Sequence, residues 1–305
     1  MEKLKAAFAD RRERSGFLLA APAFLFLVAL FIVPSFLLFI ASFWQFDNAT
    51  IVPTFTLSNY LEALSRRAVL YSTLTALKIG FWSGLISTVL SFPVAWYIAF
   101  KTRSNVLLYL VLLSWFSSYL VRIFAWRTIL GTQGIINSAL MSAGLIDKPL
   151  EFLIFSPLAV IVTLVHIFVP FTLLLLLSAL RNVTPDHLDA CRDLGGTRFD
   201  ILRKVVFPIA YKGIIGSFLF TFILSAGDFI TPQLLGGRSG MTVGFMISNE
   251  FRVSGNWPAG AAMAILLLIV FLAASALTTR LFRLLRLAPG VRYHPLQNPA
   301  SASRR

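Results

Sequence analysis

The chain has 305 residues, of which 57% are hydrophobic and only 13% are charged, and its mean hydropathy is +0.80. These values exclude an ordinary soluble domain and indicate a protein that crosses a membrane several times. The net charge of +14 does not indicate a nucleic-acid partner, because most Lys and Arg residues lie at the two termini and in alternate loops. That distribution follows the positive-inside rule, so the charge orients the protein in a lipid bilayer.

Six apolar runs along the chain predict an all-α membrane protein with six transmembrane helices. The first run lacks any charge and is too long for a signal-peptide core, and we expect Pro22 and Pro34 within it to bend or loosen its helix. The predicted spans are residues 16–44, 71–100, 105–121, 157–180, 213–235 and 258–279.

The basic segments predict the orientation of these spans. The N-terminus (1–15) and the tail (280–305) are both basic, so we expect both on the cytoplasmic side. Residues 71–279 then form a five-helix core, and the N-terminal helix wraps around it as an extra element. Residues 122–153 are too polar to span and are broken by glycines, which predicts external or re-entrant short helices.

The segment 186–212 is the longest polar stretch between two long apolar runs, and it carries five Lys or Arg and four Asp. Such a segment must lie in water beside the membrane. Its pattern predicts two short helices separated by Gly195-Gly196, with Thr197 as the cap of the second and Pro208 at its end. Each helix has an apolar stripe, formed by Leu188, Cys191 and Leu194 in the first and by Phe199, Leu202, Val205 and Val206 in the second. An amphipathic hairpin of this kind offers a docking surface to a soluble partner.

The same segment resembles the EAA loop of bacterial ABC-importer permeases. Asp189-Ala190-Cys191 is followed by three residues, Gly195, nine residues and the run from Val205 to Pro208, and the Gly-to-Pro spacing matches the family pattern fully. Asp replaces Glu, Cys replaces Ala, and Phe207 replaces Leu, so charge or apolar character is kept. The resemblance implies a type I (MetI-like) permease fold in which this loop docks into a cleft of the ATP-hydrolysing subunit. The coupling residues that it implies are Asp189, Ala190, Cys191, Gly195, Val205, Phe207 and Pro208.

Three further segments resemble permeases of the spermidine/putrescine (PotB-like) type. They begin at Val121-Arg122, at Gly227-Asp228 and at Asn256-Trp257. The resemblance implies a bacterial inner-membrane importer that carries a small solute such as a polyamine, or alternatively another small organic solute. The partners that it implies are an ABC ATPase dimer, a second related permease and an external or periplasmic solute-binding protein.

The sequence has no P-loop GxxxxGK[ST], so we expect ATP to be hydrolysed by a separate subunit and this chain to bind no cofactor of its own. No metal is expected either. Cys191 is the only cysteine, and with His187 it supplies two candidate ligands without a third. A secondary transporter or a rhomboid-like protease fits less well, because paired repeats and a Gly-x-Ser-Gly span are missing.

Four residues are candidates for the solute pathway. Asp228 lies in an apolar span, where a carboxylate is costly, and it either attracts an amine-bearing solute or fixes a helix by a hydrogen bond. Trp115 and Tyr119 offer aromatic faces to an alkyl-ammonium chain or form an interfacial aromatic belt. Glu250 contacts the solute or the binding protein, or it is a solvated loop acid. His166, beside Pro170, is expected to bond to a neighbouring helix.

Overall fold

The computed structural model describes residues 19, 21–102 and 104–284, and most of them are helical. A two-stranded antiparallel hairpin pairs β1 (Gln45–Asp47) with β2 (Thr50–Val52). In chain order the helices are α1 (Ala21–Ala41), α2 (Ser58–Ser65), α3 (Arg67–Phe100), α4 (Val106–Leu113), α5 (Tyr119–Leu130), α6 (Ile135–Ser142), α7 (Pro157–Leu180), α8 (Pro185–Asp193), α9 (Arg198–Gly227), α10 (Val243–Asn249) and α11 (Trp257–Leu284).

Five of these helices, α1, α3, α7, α9 and α11, are long and apolar enough to cross a membrane, and a bent pair built from α4 and α5–α6 can supply a sixth span. The all-α, polytopic prediction is therefore confirmed. The predicted fourth span, 157–180, has the bounds of α7. Helix α11 continues to Leu284, five residues beyond the predicted end of the sixth span. The predicted N-terminus (1–15) and the rest of the tail lie outside the described residues.

The predicted third span over 105–121 is not one continuous helix. Helix α4 and the 3-10 turn after it end at Phe116, and the chain then bends by 89° into α5. Val106–Phe116 has eleven residues, which rise about 16 Å and cannot cross about 30 Å of hydrocarbon alone. The bend coincides with Ser117 and Ser118, whose extended backbone interrupts the helix.

Two prolines inside apolar helices are accommodated by wider helical turns. A π-helical segment, Val28–Ile32, precedes Pro34, and another, Ile201–Val206, precedes Pro208. A proline has no N–H to donate to the carbonyl four residues earlier, and a wider turn relieves the resulting mismatch. The predicted loosening at Pro34 is confirmed. The prediction that Pro208 ends a short helix is wrong, since α9 runs through it to Gly227.

The described residues divide into two compact units, one comprising residues up to 75 with 241–269, the other 76–240 with the residues from 270 onward. In the first unit, the buried Asn59 side chain donates hydrogen bonds to the carbonyls of Ser42 (2.9 Å) and Trp44 (2.8 Å), which fixes the connection after α1. Tyr60 adds a hydroxyl contact with Ser42 at 2.6 Å.

The second unit is organised around the antiparallel packing of α7 against α9. Close approach depends on small residues: a Cβ added at Gly213 would lie 2.2 Å from the Cβ of Ala179. Further along, the hydroxyls of Thr172 and Thr221 lie 2.8 Å apart in the buried interface. Near its C-terminal end, α9 packs against α3 at Gly80, where an added Cβ would lie 2.6 Å from the Cβ of Ala226. Small residues at such contacts are typical of helices that associate in membranes.

Candidate functional site

The predicted docking hairpin is present between α7 and the membrane part of α9. Helix α8 begins with a capping arrangement in which Thr184 Oγ1 lies 2.8 Å from His187 Nδ1. The side chain of His187 is thus used at the helix start, and the described residues contain no group of three or more His, Cys, Asp or Glu side chains placed to hold a metal ion.

The turn of the hairpin depends on two glycines for different reasons. Gly195 has φ +77°, a left-handed conformation that glycine adopts without strain, and open space surrounds its Cα. At Gly196 the requirement is steric, because an added Cβ would lie 2.6 Å from Cys191 Sγ. Thr197 then caps α9: its hydroxyl accepts from the N–H of Asp200, whose carboxylate accepts in return from the N–H of Thr197. The predicted break and the predicted cap are both confirmed.

The base of the hairpin is fixed to the membrane helices by a shared apolar core. Leu188, Ile201 and Val206 are buried in the same cluster as residues from the ends of α3, α4 and α7. Phe207 stacks on Phe92 of α3, with ring centroids 5.8 Å apart and planes 11° apart. The base of the hairpin and the ends of these three helices are therefore packed into one apolar core.

The tip of the hairpin presents apolar side chains to solvent. Leu194 is 89% exposed and Phe199 is 67% exposed, on either side of the glycine pair. Exposed apolar residues beside a polar helix are typical of a surface that binds another protein. Asp189 and Arg192 form an ion pair on the exposed face of α8.

The apolar stripes predicted for the hairpin are partly wrong. Leu188 is buried and Cys191 half-buried as expected, but Leu194 and Phe199 point to solvent. Ile201, which was absent from the predicted stripe, is buried instead. The other predicted stripe residues of the second helix, Leu202, Val205 and Val206, are half-buried or buried as expected.

The seven residues predicted to couple to an ATPase lie on one continuous segment of the hairpin and its return helix. Asp189 and Ala190 are exposed, Gly195 forms the turn, and Cys191 is half-buried behind it. The other three pack toward the membrane helices, where they are half-buried: Val205, Phe207 and Pro208.

A second group of polar contacts surrounds Asp228, where α9 ends. The backbone at Asp228 is extended, and its carboxylate accepts hydrogen bonds from the N–H of Thr231 (3.0 Å) and Ile230 (3.4 Å). It therefore caps the short helical segment that follows. The hydroxyl of Tyr119 on α5 donates to the same carboxylate at 2.8 Å and lies 3.0 Å from the hydroxyl of Thr231.

The structure brings Asp228 and Tyr119 together, but not the other two pathway candidates. Trp115 packs edge-on against Phe171 of α7, with centroids 4.9 Å apart. Glu250 lies in the first unit, where its carboxylate is 3.6 Å from the guanidinium of Arg66. The helix ends at Gly227, directly before the extended backbone of Asp228.

Two more polar side chains of α5 contact α7. The indole N–H of Trp126 donates to Nδ1 of His166 at 3.0 Å, so the bond predicted between His166 and a neighbouring helix is confirmed. Arg122 is only 6% exposed and approaches the carbonyl of Ile167 at 3.5 Å, while its Nε has no hydrogen-bond partner among the described residues. The pattern of apolar and polar residues in α5 gave no signal for the burial of this arginine.

Comparison with known proteins identifies the family of the chain. Residues 6–287 match the family model described as "Binding-protein-dependent transport system inner membrane component". The chain belongs to this family. Members are inner-membrane transport components, which agrees with the multi-pass architecture of this chain. The family match does not support the two alternatives, a secondary transporter and a rhomboid-like protease.

Sequence relatives span most of the chain. It is 33% identical over 251 residues to the spermidine/putrescine transport system permease protein PotB of Escherichia coli (strain K12), which covers 80% of this chain and 89% of that protein. The corresponding protein of Haemophilus influenzae is 30% identical over 275 residues, covering 84% and 93%. The inner membrane ABC transporter permease protein YdcU of Escherichia coli (strain K12) is 32% identical over 254 residues, covering 78% and 80%.

Solved structures of permeases from ABC importers have the same fold. A chain of a bacterial ABC transporter that imports the acidic polysaccharide alginate matches with a TM-score of 0.69 at 16% identity, covering 92% of this chain and 98% of that one. A chain of the MetNI methionine ABC transporter matches with a TM-score of 0.53 at 19% identity, covering 70% and 94%. The predicted MetI-like permease fold is therefore confirmed.

Proposed function

We propose that this chain is the transmembrane permease subunit of an ATP-driven importer that moves a polyamine, such as spermidine or putrescine, into the cytoplasm. The observation that carries the proposal is the similarity to PotB permeases over about four fifths of the chain. The chain itself is not an ATPase and holds no cofactor; ATP and Mg²⁺ bind to a partner ATPase dimer. A second, related permease and an external or periplasmic binding protein complete the transporter.

The hairpin 186–212 is the coupling element in this proposal. Its tip, with Leu194 and Phe199 exposed, enters a cleft of the ATPase, and its base shares a core with the ends of α3, α4 and α7. Closure of the ATPase dimer on ATP displaces the tip, and the shared core carries the displacement to the membrane helices. Both termini then lie in the cytoplasm, on the same side as the hairpin.

Asp228 and Tyr119 form the proposed contact with the amine. The carboxylate is held by two backbone N–H groups and by the Tyr119 hydroxyl, so its position is fixed before a solute arrives. A preorganised carboxylate in an apolar span attracts a cation at little further cost in ordering. Trp115 and Glu250 remain proposals for the outer part of the pathway, as aromatic and acidic contacts.

A second candidate is a small organic solute that carries an anionic group as well as an amine. The observation that favours it is Arg122, one helical turn from Tyr119 on α5, buried and incompletely hydrogen-bonded. A buried guanidinium repels a polyamine and attracts a carboxylate or phosphonate.

Uptake into proteoliposomes distinguishes the two candidates. The chain is reconstituted with its cognate ATPase, second permease and binding protein, and accumulation of radiolabelled spermidine and putrescine is measured with and without ATP. We expect ATP-dependent accumulation of at least one of the two polyamines. Failure to accumulate either polyamine, together with ATP-dependent accumulation of a radiolabelled amino-carboxylate or amino-phosphonate, would instead establish the second candidate.

A further inference from the structure

A groove of about 950 Å³ opens between the docking hairpin and the ends of α3 and α7. Its floor is apolar, formed by Leu188 and Ile201, which belong to the core that fixes the hairpin. One wall consists of the aromatic side chains of α3, namely Phe92, Trp96 and Phe100. The groove therefore offers an extended apolar surface that the described residues leave open.

The rim of this groove is strongly basic. Four cationic side chains contribute to its lining, against a single carboxylate, that of Asp189. Asp189 is already paired with Arg192. The three other cations, Lys101, Arg181 and Arg198, form no ion pair with any carboxylate in the described part of the chain. The lining therefore has a net positive charge, which favours an anionic ligand.

The position of the cations relative to the membrane narrows the class of anion. Lys101 directly follows the spanning helix α3, and Arg181 directly follows α7, so both cations lie where a spanning helix ends. Trp96 lies about one turn further into the span, where aromatic side chains border the lipid headgroups. A soluble anion would leave the aromatic wall unused, and a neutral lipid would leave the cations unbalanced.

We propose that this groove binds an anionic phospholipid. The phosphate lies between Arg181 and Arg198, and an acyl chain lies along Trp96 and Phe100. Basic pockets between membrane helices on the cytoplasmic side bind anionic headgroups in this way. The lipid contacts the hairpin and two spanning helices together, so it stabilises the position from which the hairpin engages a partner. The site is independent of which solute is transported.

Native mass spectrometry of the purified full-length chain tests the proposal, with phosphatidylglycerol or phosphatidylcholine added in non-ionic detergent. We expect the chain to retain phosphatidylglycerol in preference to phosphatidylcholine. The double variant Arg181→Gln/Arg198→Gln should bind phosphatidylglycerol roughly ten- to thirty-fold more weakly, since each cation near the surface contributes to the attraction. The double variant Arg181→Lys/Arg198→Lys keeps both charges and should retain most of the binding.

Matched controls separate the groove from general surface charge and from misfolding. Arg238→Gln removes an exposed cation outside the groove and should leave phosphatidylglycerol binding unchanged. Weak binding of phosphatidylcholine should be equal in all variants, which shows that they remain folded.

Three results would overturn the proposal. The first is equal retention of the two lipids by the unaltered chain. The second is displacement of phosphatidylglycerol by glycerol 3-phosphate at similar concentration, which would show that the groove recognises a phosphate alone. The third is unchanged lipid binding in the double Gln variant together with weaker association of the ATPase in phosphatidylcholine nanodiscs, which would assign the cations to an acidic protein segment.

Discussion

The docking hairpin and the polar contacts around Asp228 are built on opposite principles. In the hairpin the polar side chains bond to near neighbours, as in Thr197 with Asp200, and the tip exposes apolar side chains. Around Asp228 the bonds join distant parts of the chain: Tyr119 is 109 residues away. A local element can therefore present a binding surface to a partner protein, whereas the non-local contacts fix a charge at the end of the spanning helix α9.

Loss of the apolar tip should have the largest effect on transport. Leu194→Gln with Phe199→Gln removes two exposed apolar side chains without disturbing the buried base of the hairpin. Because central apolar contacts dominate protein interfaces, we expect the ATPase to associate roughly thirty-fold more weakly or worse, measured by titration of the ATPase onto the permease in nanodiscs.

Leu145→Gln is the matched control for the tip, since Leu145 is also highly exposed (71%) but lies in the segment predicted to be external. It should leave ATPase association unchanged. If the tip variant binds the ATPase as tightly as the Leu145 variant does, the tip is not the docking surface.

The hairpin turn should show the next largest effect. Gly195→Val places a β-branched side chain at φ +77°, which costs about 1 to 2 kcal/mol, although nothing blocks the added atoms. We expect solute-stimulated ATP hydrolysis to fall by about ten-fold as the tip leaves its position. Gly195→Asn should retain most of the activity, because Asn tolerates this conformation. Equal losses in the two variants would indicate that shape or charge at the turn, and not backbone conformation, is decisive.

At Asp228, two substitutions separate charge from capping. Asp228→Asn keeps an oxygen acceptor and is an equally good helix cap, so the thermal midpoint should stay unchanged. Under the proposed function the KM for spermidine uptake should rise by roughly ten-fold, since about 1.4 kcal/mol of attraction to the amine is lost.

Asp228→Ala removes both properties and should also lower stability by about 1 kcal/mol, read from the thermal midpoint of the permease in detergent. An unchanged KM in Asp228→Asn would assign Asp228 a capping role alone. The contacts around Asp228 would then stabilise the fold without binding the solute.

The smallest effect is expected from Trp126. Trp126→Phe keeps the aromatic ring and removes the indole N–H that bonds to His166, a contact worth about 0.6 kcal/mol on average in membranes. We expect a small decrease in the thermal midpoint and no change in the KM for the solute. A change in KM larger than that of Asp228→Asn would place this contact in the solute pathway.

The difference between local and non-local contacts also explains which features the sequence could predict. The turn at Gly195-Gly196, the cap at Thr197 and the span α7 follow from local patterns of glycine, capping residues and apolar length, and the structure has each of them. The bend after Phe116 and the passage of α9 through Pro208 depend on how the serines and the proline are accommodated, which local propensity does not determine. The partners of Asp228 and the burial of Arg122 required the three-dimensional arrangement of α5, α7 and α9.

Cross-linking of the hairpin tip tests the central claim most directly. Cys191 is the only cysteine, so Cys191→Ser with Leu194→Cys places a single thiol at the tip, and Cys191→Ser with Leu145→Cys supplies the control. Each variant is assembled with the cognate ATPase and treated with a short thiol-to-amine cross-linker. The account predicts a permease–ATPase product from the tip thiol alone, with a yield that changes when ATP is added. Failure of the tip thiol to link to the ATPase in an assembled, transport-competent complex would contradict the assignment of this hairpin as the coupling element.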